Sequence, residues 1–70
     1  MVIENKFKDI LKELRIEKGL TQASLAKQIG LSQTGIARWE NGDRTPNIYC
    51  LVTLAKFFGV TTDFLLGIEI

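Results

Sequence analysis

One stretch, "TQASLAKQIGLSQTGIARWENG" from Thr21 to Gly42, constrains this chain more than any other. It holds two complete sets of helix signals with almost nothing between them. Thr21 reads as an N-cap, and "QASLAKQI" then has Leu25, Ala26 and Ile29 on one face before Gly30 stops it. Ser32 caps the next helix, which runs to Asn41 and Gly42. Only Gly30 and Leu31 separate the end of one helix from the cap of the other. A turn that short makes the helices cross steeply, the helix-turn-helix arrangement. Ala26 suits the close approach of two backbones there.

The rest of the chain also reads as helix. A first helix is expected from about Asn5, as N-cap, to Lys18, with Gly19 as its stop. Phe7, Ile10, Leu11 and Leu14 give it one apolar stripe. Pro46 and Asn47 open a fourth helix in which Ile48, Leu51, Leu54, Ala55 and Phe58 are expected to share a buried face, closed by Gly59. A short fifth helix spans about Thr62 to Leu66, before Gly67. Strand signals are confined to "MVI" and "IEI" at the two ends. The expectation is a single all-α domain over residues 1–70, with the helix-turn-helix at about 21–41. Its contacts are local, which favours fast folding.

Bulk properties narrow the function classes. The 46% of hydrophobic residues argues against intrinsic disorder. A formal net charge of +1 says nothing for or against a polyanionic partner, so that case rests on where charges sit. With Cys50 alone and no histidine, an intrachain disulfide and a zinc site both lack partners. Acid–base or metal chemistry has almost nothing to work with, so neither an enzyme nor a metal or cofactor is expected. No run approaches the ~18 apolar residues of a membrane span. The start, "MVIENKFKD", puts charges where a signal peptide has its apolar centre. A cytoplasmic protein with a reduced Cys50 is expected.

The helix from Ser32 to Asn41 carries two patterns. Placing Gln33 at zero on a wheel of about 100° per residue puts Ala37, Asn41, Thr34 and Arg38 between about 40° and 140°. Ile36, Trp39 and Glu40 fall between about 240° and 340° on the same wheel. One arc is a core face. The other offers an amide, a hydroxyl, a methyl and a guanidinium, the groups that read base edges in a major groove. An ordinary solvated face would have much the same composition.

From about Leu11 to Gly67 the chain resembles the lambda-repressor-like, Cro/C1 (XRE) family of helix-turn-helix regulators. The residues that carry the resemblance are "LRIEKGLTQASLAKQIGLSQTGIARWENGDRTP" and "LAKFFGVTTDFLL". It implies a five-helix domain that binds operator DNA as a two-fold dimer, with the Ser32–Asn41 helix in the major groove. By position it implies base reading by Gln33, Thr34 and Arg38, with Ala37 on the same arc. It matches Gln22 to a phosphate contact, and Asn41, in the loop after the reading helix, to another. These phosphate assignments have a physical basis, since free amides at a helix N-terminus favour an anion. Ser32, Lys27 and Arg44 are further phosphate candidates. Three positions depart from the family pattern. Ala23 and Ser24 stand where acids are common, so a capping box with glutamate is missing. Gly35 lies inside the reading helix, at about 1 kcal/mol relative to alanine. Asp43 occupies a loop position that is often basic.

The resemblance also matches Arg15 and Glu40 to a partly buried inter-helix ion pair. Phe57 and Ile16 have no obvious place in the core, and Phe64, Ile68 and Ile70 add apolar groups near the C-terminus. Phe64, Ile68 and Ile70 are the expected dimer contact, against a monomer whose tail folds back on the first helix. The leading function is sequence-specific binding of double-stranded DNA by a homodimeric transcriptional repressor. The alternatives are a DNA-binding antitoxin or control protein, and a protein-interaction module that has lost DNA.

Overall fold

A computed structural model describes residues 6–68. Its elements are α1 (Phe7–Glu17), α2 (Gln22–Ile29), α3 (Gln33–Asn41), α4 (Ile48–Phe58) and α5 (Thr62–Leu66). No strand occurs among the described residues. The fold is the expected all-α arrangement. "MVI", the expected cap Asn5 and the expected dimer residue Ile70 lie outside the described residues. Lys6 occupies the cap position of α1 and makes no side-chain cap bond there.

The other four helices are capped as their sequences direct. Thr21, Ser32, Asn47 and Thr61 each accept a hydrogen bond from the backbone N–H three residues on. At α2 the missing glutamate is replaced: the Thr21 N–H donates to Ser24 Oγ at 2.8 Å, completing a capping box with serine. A left-handed glycine closes every helix, directly after α2, α3, α4 and α5 and one residue beyond Lys18 after α1. The N–H that follows it returns to the carbonyl five residues back. At Gly30 this bond, from the Leu31 N–H to the Ala26 carbonyl at 3.0 Å, makes the two-residue turn between α2 and α3. At Gly67 the backbone also passes close to α1: a Cβ there would stand 2.6 Å from Cβ of Lys6.

The core gathers Phe7 and Leu11 from α1, Leu25 and Ala26 from α2, and Ile36 and Trp39 from α3. Leu54 and Ala55 from α4 and Leu65 from α5 complete it. α3 packs on both α1 and α2, and α5 packs on α1 and α4. Each helix buries one stripe, and every stripe meets at this centre. Full burial of one such side chain contributes roughly 1.5–3 kcal/mol, so the shared core is what holds helices this short.

On α4 the structure corrects the expected face. Ile48 is 81% exposed. Phe57, expected outside the core, is half-buried and packs against it, as does Cys50. The buried arc is centred on Leu54, and Ile48 stands about 120° away, on the first turn. Phe57 lies only about 60° from Leu54 on its other side. Its ring meets Phe58 edge-on at 5.1 Å, and the Lys18 ammonium stands 4.9 Å above it. Ile16 remains exposed, and nothing in the structure explains it.

Candidate nucleic-acid interface

The two arcs of α3 separate in space as the wheel requires. Ile36 and Trp39 are 0% and 8% exposed, while Gln33, Thr34 and Arg38 are exposed and Ala37 is half-buried. Both α1 and α2 pack on α3, and their buried residues share the core with Ile36 and Trp39. Asn41 is the last residue of α3, as the helix signals have it and not in the loop where the resemblance matches it; the loop begins at Gly42, whose φ of 80° ends the helix. Its side chain is exposed beside that turn.

Beneath this surface, Arg15 of α1 grips Glu40 of α3. Arg15 Nε donates to Glu40 Oε2 at 2.7 Å and Nη2 donates to Oε1 at 2.9 Å, a two-pronged pair. The side chains are only 12% and 4% exposed. Arg15 Nη1 donates to the Leu20 carbonyl at 2.8 Å, so the same guanidinium also fixes the turn leading into α2. Its hydrogen bonds to Glu40 raise the arginine above its ordinary range, opposed by burial and aided by the charge of Glu40. A raised arginine stabilises the fold at all pH values below its unfolded range, and that stabilisation is lost only as pH climbs through the folded value.

The same carboxylate holds a residue expected to meet DNA. Gln22, the first residue of α2, donates from Nε2 to Glu40 Oε1 at 3.2 Å. The expected ion pair and one expected phosphate contact therefore form a single network.

The remaining candidates divide into two groups. Ser32, Thr34, Arg38 and Arg44 line one open cleft of about 440 Å³, whose other wall is Thr45, Pro46, Asn47 and Cys50. The Asp43 and Arg44 N–H groups both turn back to the Arg38 carbonyl, at 3.0 and 3.4 Å, which folds the loop toward α3. Gln33, Ala37 and Lys27 do not line the cleft. Gly35 shows no packing requirement for glycine: a Cβ would sit 3.6 Å from the Trp39 ring, an ordinary contact.

A second exposed surface is apolar, and its α4 part went unread in the sequence. Ile48, Tyr49 and Val52 on the outer face of α4 are exposed, as are Leu66 and the expected dimer-contact residues Phe64 and Ile68 around α5. Asn47 as a cap, which puts Ile48 and Tyr49 on an open first turn, was the available signal. Gly67 lies close to Lys6, the cap residue of α1, but Ile68 stays exposed beyond it.

A family model for the helix-turn-helix matches residues 11–65, more than half of the chain, from within α1 through α2, α3 and α4 to all but the last residue of α5. The chain belongs to the Cro/C1-type helix-turn-helix family. It carries the DNA-binding domain of a transcriptional regulator. Over 64 residues it is 45% identical to the HTH-type transcriptional activator BcrR of Enterococcus faecalis, covering 91% of this chain and 31% of that one. It is 33% identical over 54 residues to the cryptic phage CTXphi transcriptional repressor RstR of Vibrio cholerae, covering 77% and 49%. An uncharacterized HTH-type transcriptional regulator of Methanocaldococcus jannaschii is 42% identical over 56 residues, covering 80% and 85%. The chain thus spans about a third of the activator's length and half of the phage repressor's. Among the described residues no helix is long and apolar enough to cross a membrane.

Proposed function

We propose that this chain binds a specific double-stranded DNA operator as a homodimer and represses transcription from the cytoplasm, acting by binding and not by catalysis. One observation carries the reading: α3 exposes Gln33, Thr34 and Arg38 while its opposite face is sealed by Ile36 and Trp39. With α3 in the major groove, Gln33 pairs with adenine and Arg38 with guanine, each through two hydrogen bonds to one base. Thr34 and the Ala37 methyl meet neighbouring bases. Gln22, Lys27, Ser32, Asn41 and Arg44 take phosphates on either side. Charged and polar groups there fix register, and base edges fix sequence.

The dimer is proposed to form through Phe64, Ile68 and Ile70, with the exposed α4 residues at its margin. A two-fold dimer places two copies of α3 about one helical turn, roughly 34–36 Å, apart. Selecting bound sequences from random duplexes tests both halves of the proposal. The expected result is a site of approximate two-fold symmetry, bound by two chains. Selected sites with one half-site and one chain would refute the dimer, and no enrichment at all would refute sequence-specific binding.

A further inference from the structure

Glu40 lies on the inner side of α3, away from the row proposed to read bases. It nevertheless accepts hydrogen bonds from two other helices, from Arg15 of α1 at 2.7 and 2.9 Å and from Gln22 of α2 at 3.2 Å. Arg15 alone meets both carboxylate oxygens. Gln22 is therefore not needed to neutralise the acid. What the Gln22 bond does is orient an amide.

A carboxylate only accepts, so the Gln22 end nearest Glu40 is the NH₂ group and not the carbonyl. That nitrogen has a second N–H, pointing away from the one Glu40 holds. Gln22 is also the first residue of α2, where backbone N–H groups lack intrahelical partners. A phosphate is likewise acceptor-only. With its first N–H held, the amide presents a donor to a phosphate without first losing side-chain freedom. Arg15 neutralises Glu40, so the acid does this without repelling the phosphate as an unpaired carboxylate would.

We propose that Glu40 is a positioning residue for DNA: it holds the Gln22 amide so that its second N–H meets a backbone phosphate, locking α3 to the register of the strand. This rests on the DNA-binding reading above. Because Glu40 belongs to α3 and Gln22 to α2, the device ties the base-reading helix to the backbone contact.

The test uses the selected operator with single phosphates replaced, one at a time, by neutral methylphosphonates. Binding is measured for the wild-type chain, Gln22→Ala, Glu40→Gln and the charge-balanced Arg15→Ala/Glu40→Ala double variant, at a temperature where circular dichroism shows each folded. Wild type should lose roughly tenfold at one phosphate per half-site, as for loss of a hydrogen bond to a charged group. Gln22→Ala should lose that sensitivity, and so should Glu40→Gln, whose single acceptor oxygen is taken by Arg15. Sensitivity at every other phosphate should be unchanged, which a merely structural role for Glu40 would not produce. If the double variant does not fold, Glu40→Gln decides alone. A Glu40→Gln protein that keeps the wild-type penalty overturns the proposal, as does a Gln22→Ala protein that keeps it. A wild-type chain that binds no duplex overturns the DNA-binding reading itself.

Discussion

Two outward faces of this small domain differ sharply. The outer face of α3 is polar, with Gln33, Thr34 and Arg38, whereas the outer faces of α4 and α5 expose Ile48, Tyr49, Val52 and Phe64. Both helices α3 and α4 bury one stripe in the same core. Folding needs only that stripe, so the opposite face is free to take whatever chemistry its partner requires. A polar face with paired donors suits base edges and phosphates. An apolar cluster suits protein. The contrast also reaches below the surface: the α3 face rests on the Arg15–Glu40–Gln22 network, and the α4 face has no such polar support among the described residues.

The largest effect is expected where the polar face is anchored. Glu40→Ala or Arg15→Ala strands a nearly buried charge and should destabilise the fold by about 3–5 kcal/mol. The double variant should be less damaged than the sum of the two, measured as a coupling energy by chemical denaturation. Additive single effects would show that the pair is not a unit. Between neutral and mildly alkaline pH the contribution from Arg15 should stay constant, since its shift is upward.

On the apolar face the damage should fall on assembly and not on folding. Phe64→Asp should weaken dimerisation on operator DNA by about 2 kcal/mol or more, the size of an interface hot spot. Sedimentation and thermal unfolding separate the outcomes. A large drop in melting temperature with unchanged assembly would make Phe64 a core residue.

Smaller again is the effect at Gly35. Alanine there meets the Trp39 ring at ordinary distance, so Gly35→Ala should stabilise the fold by about 1 kcal/mol. A loss of DNA affinity beside that gain would show that the glycine serves the approach of DNA. The mildest change should come from Lys27→Ala and Arg44→Ala. Each should weaken all duplexes alike and reduce the salt slope by about one unit.

Most of the fold was legible because its signals are local. Thr21 and Ser32 cap where they were expected to, Pro46 and Asn47 open α4 as expected, and glycines end the helices at Gly30, Gly42 and Gly59. Trp39 and Ile36 were legible from periodicity alone. The Arg15–Glu40 pair was not: two residues 25 apart have no local signature, and only family resemblance joined them. Ser24 closing its own capping box was missed because serine is an uncommon stand-in for glutamate. The α4 face was misjudged at both edges. Its sequence is so apolar that a wheel finds several plausible arcs, and only the neighbouring helices choose between Ile48 and Phe57. The Gln22 bond to Glu40 was invisible for the same reason, since it depends on how α2 and α3 pack.

The central claim is that the outer row of α3 reads sequence. The direct measurement is the ratio of affinities for the selected operator and for scrambled DNA, at matched salt, in wild type, Gln33→Ala and Arg38→Ala. Each substitution should lower that ratio by the equivalent of about 1–3 kcal/mol and relax preference at one base pair. If both variants keep the wild-type ratio while remaining folded, the row is only a solvated face and the account of α3 is contradicted.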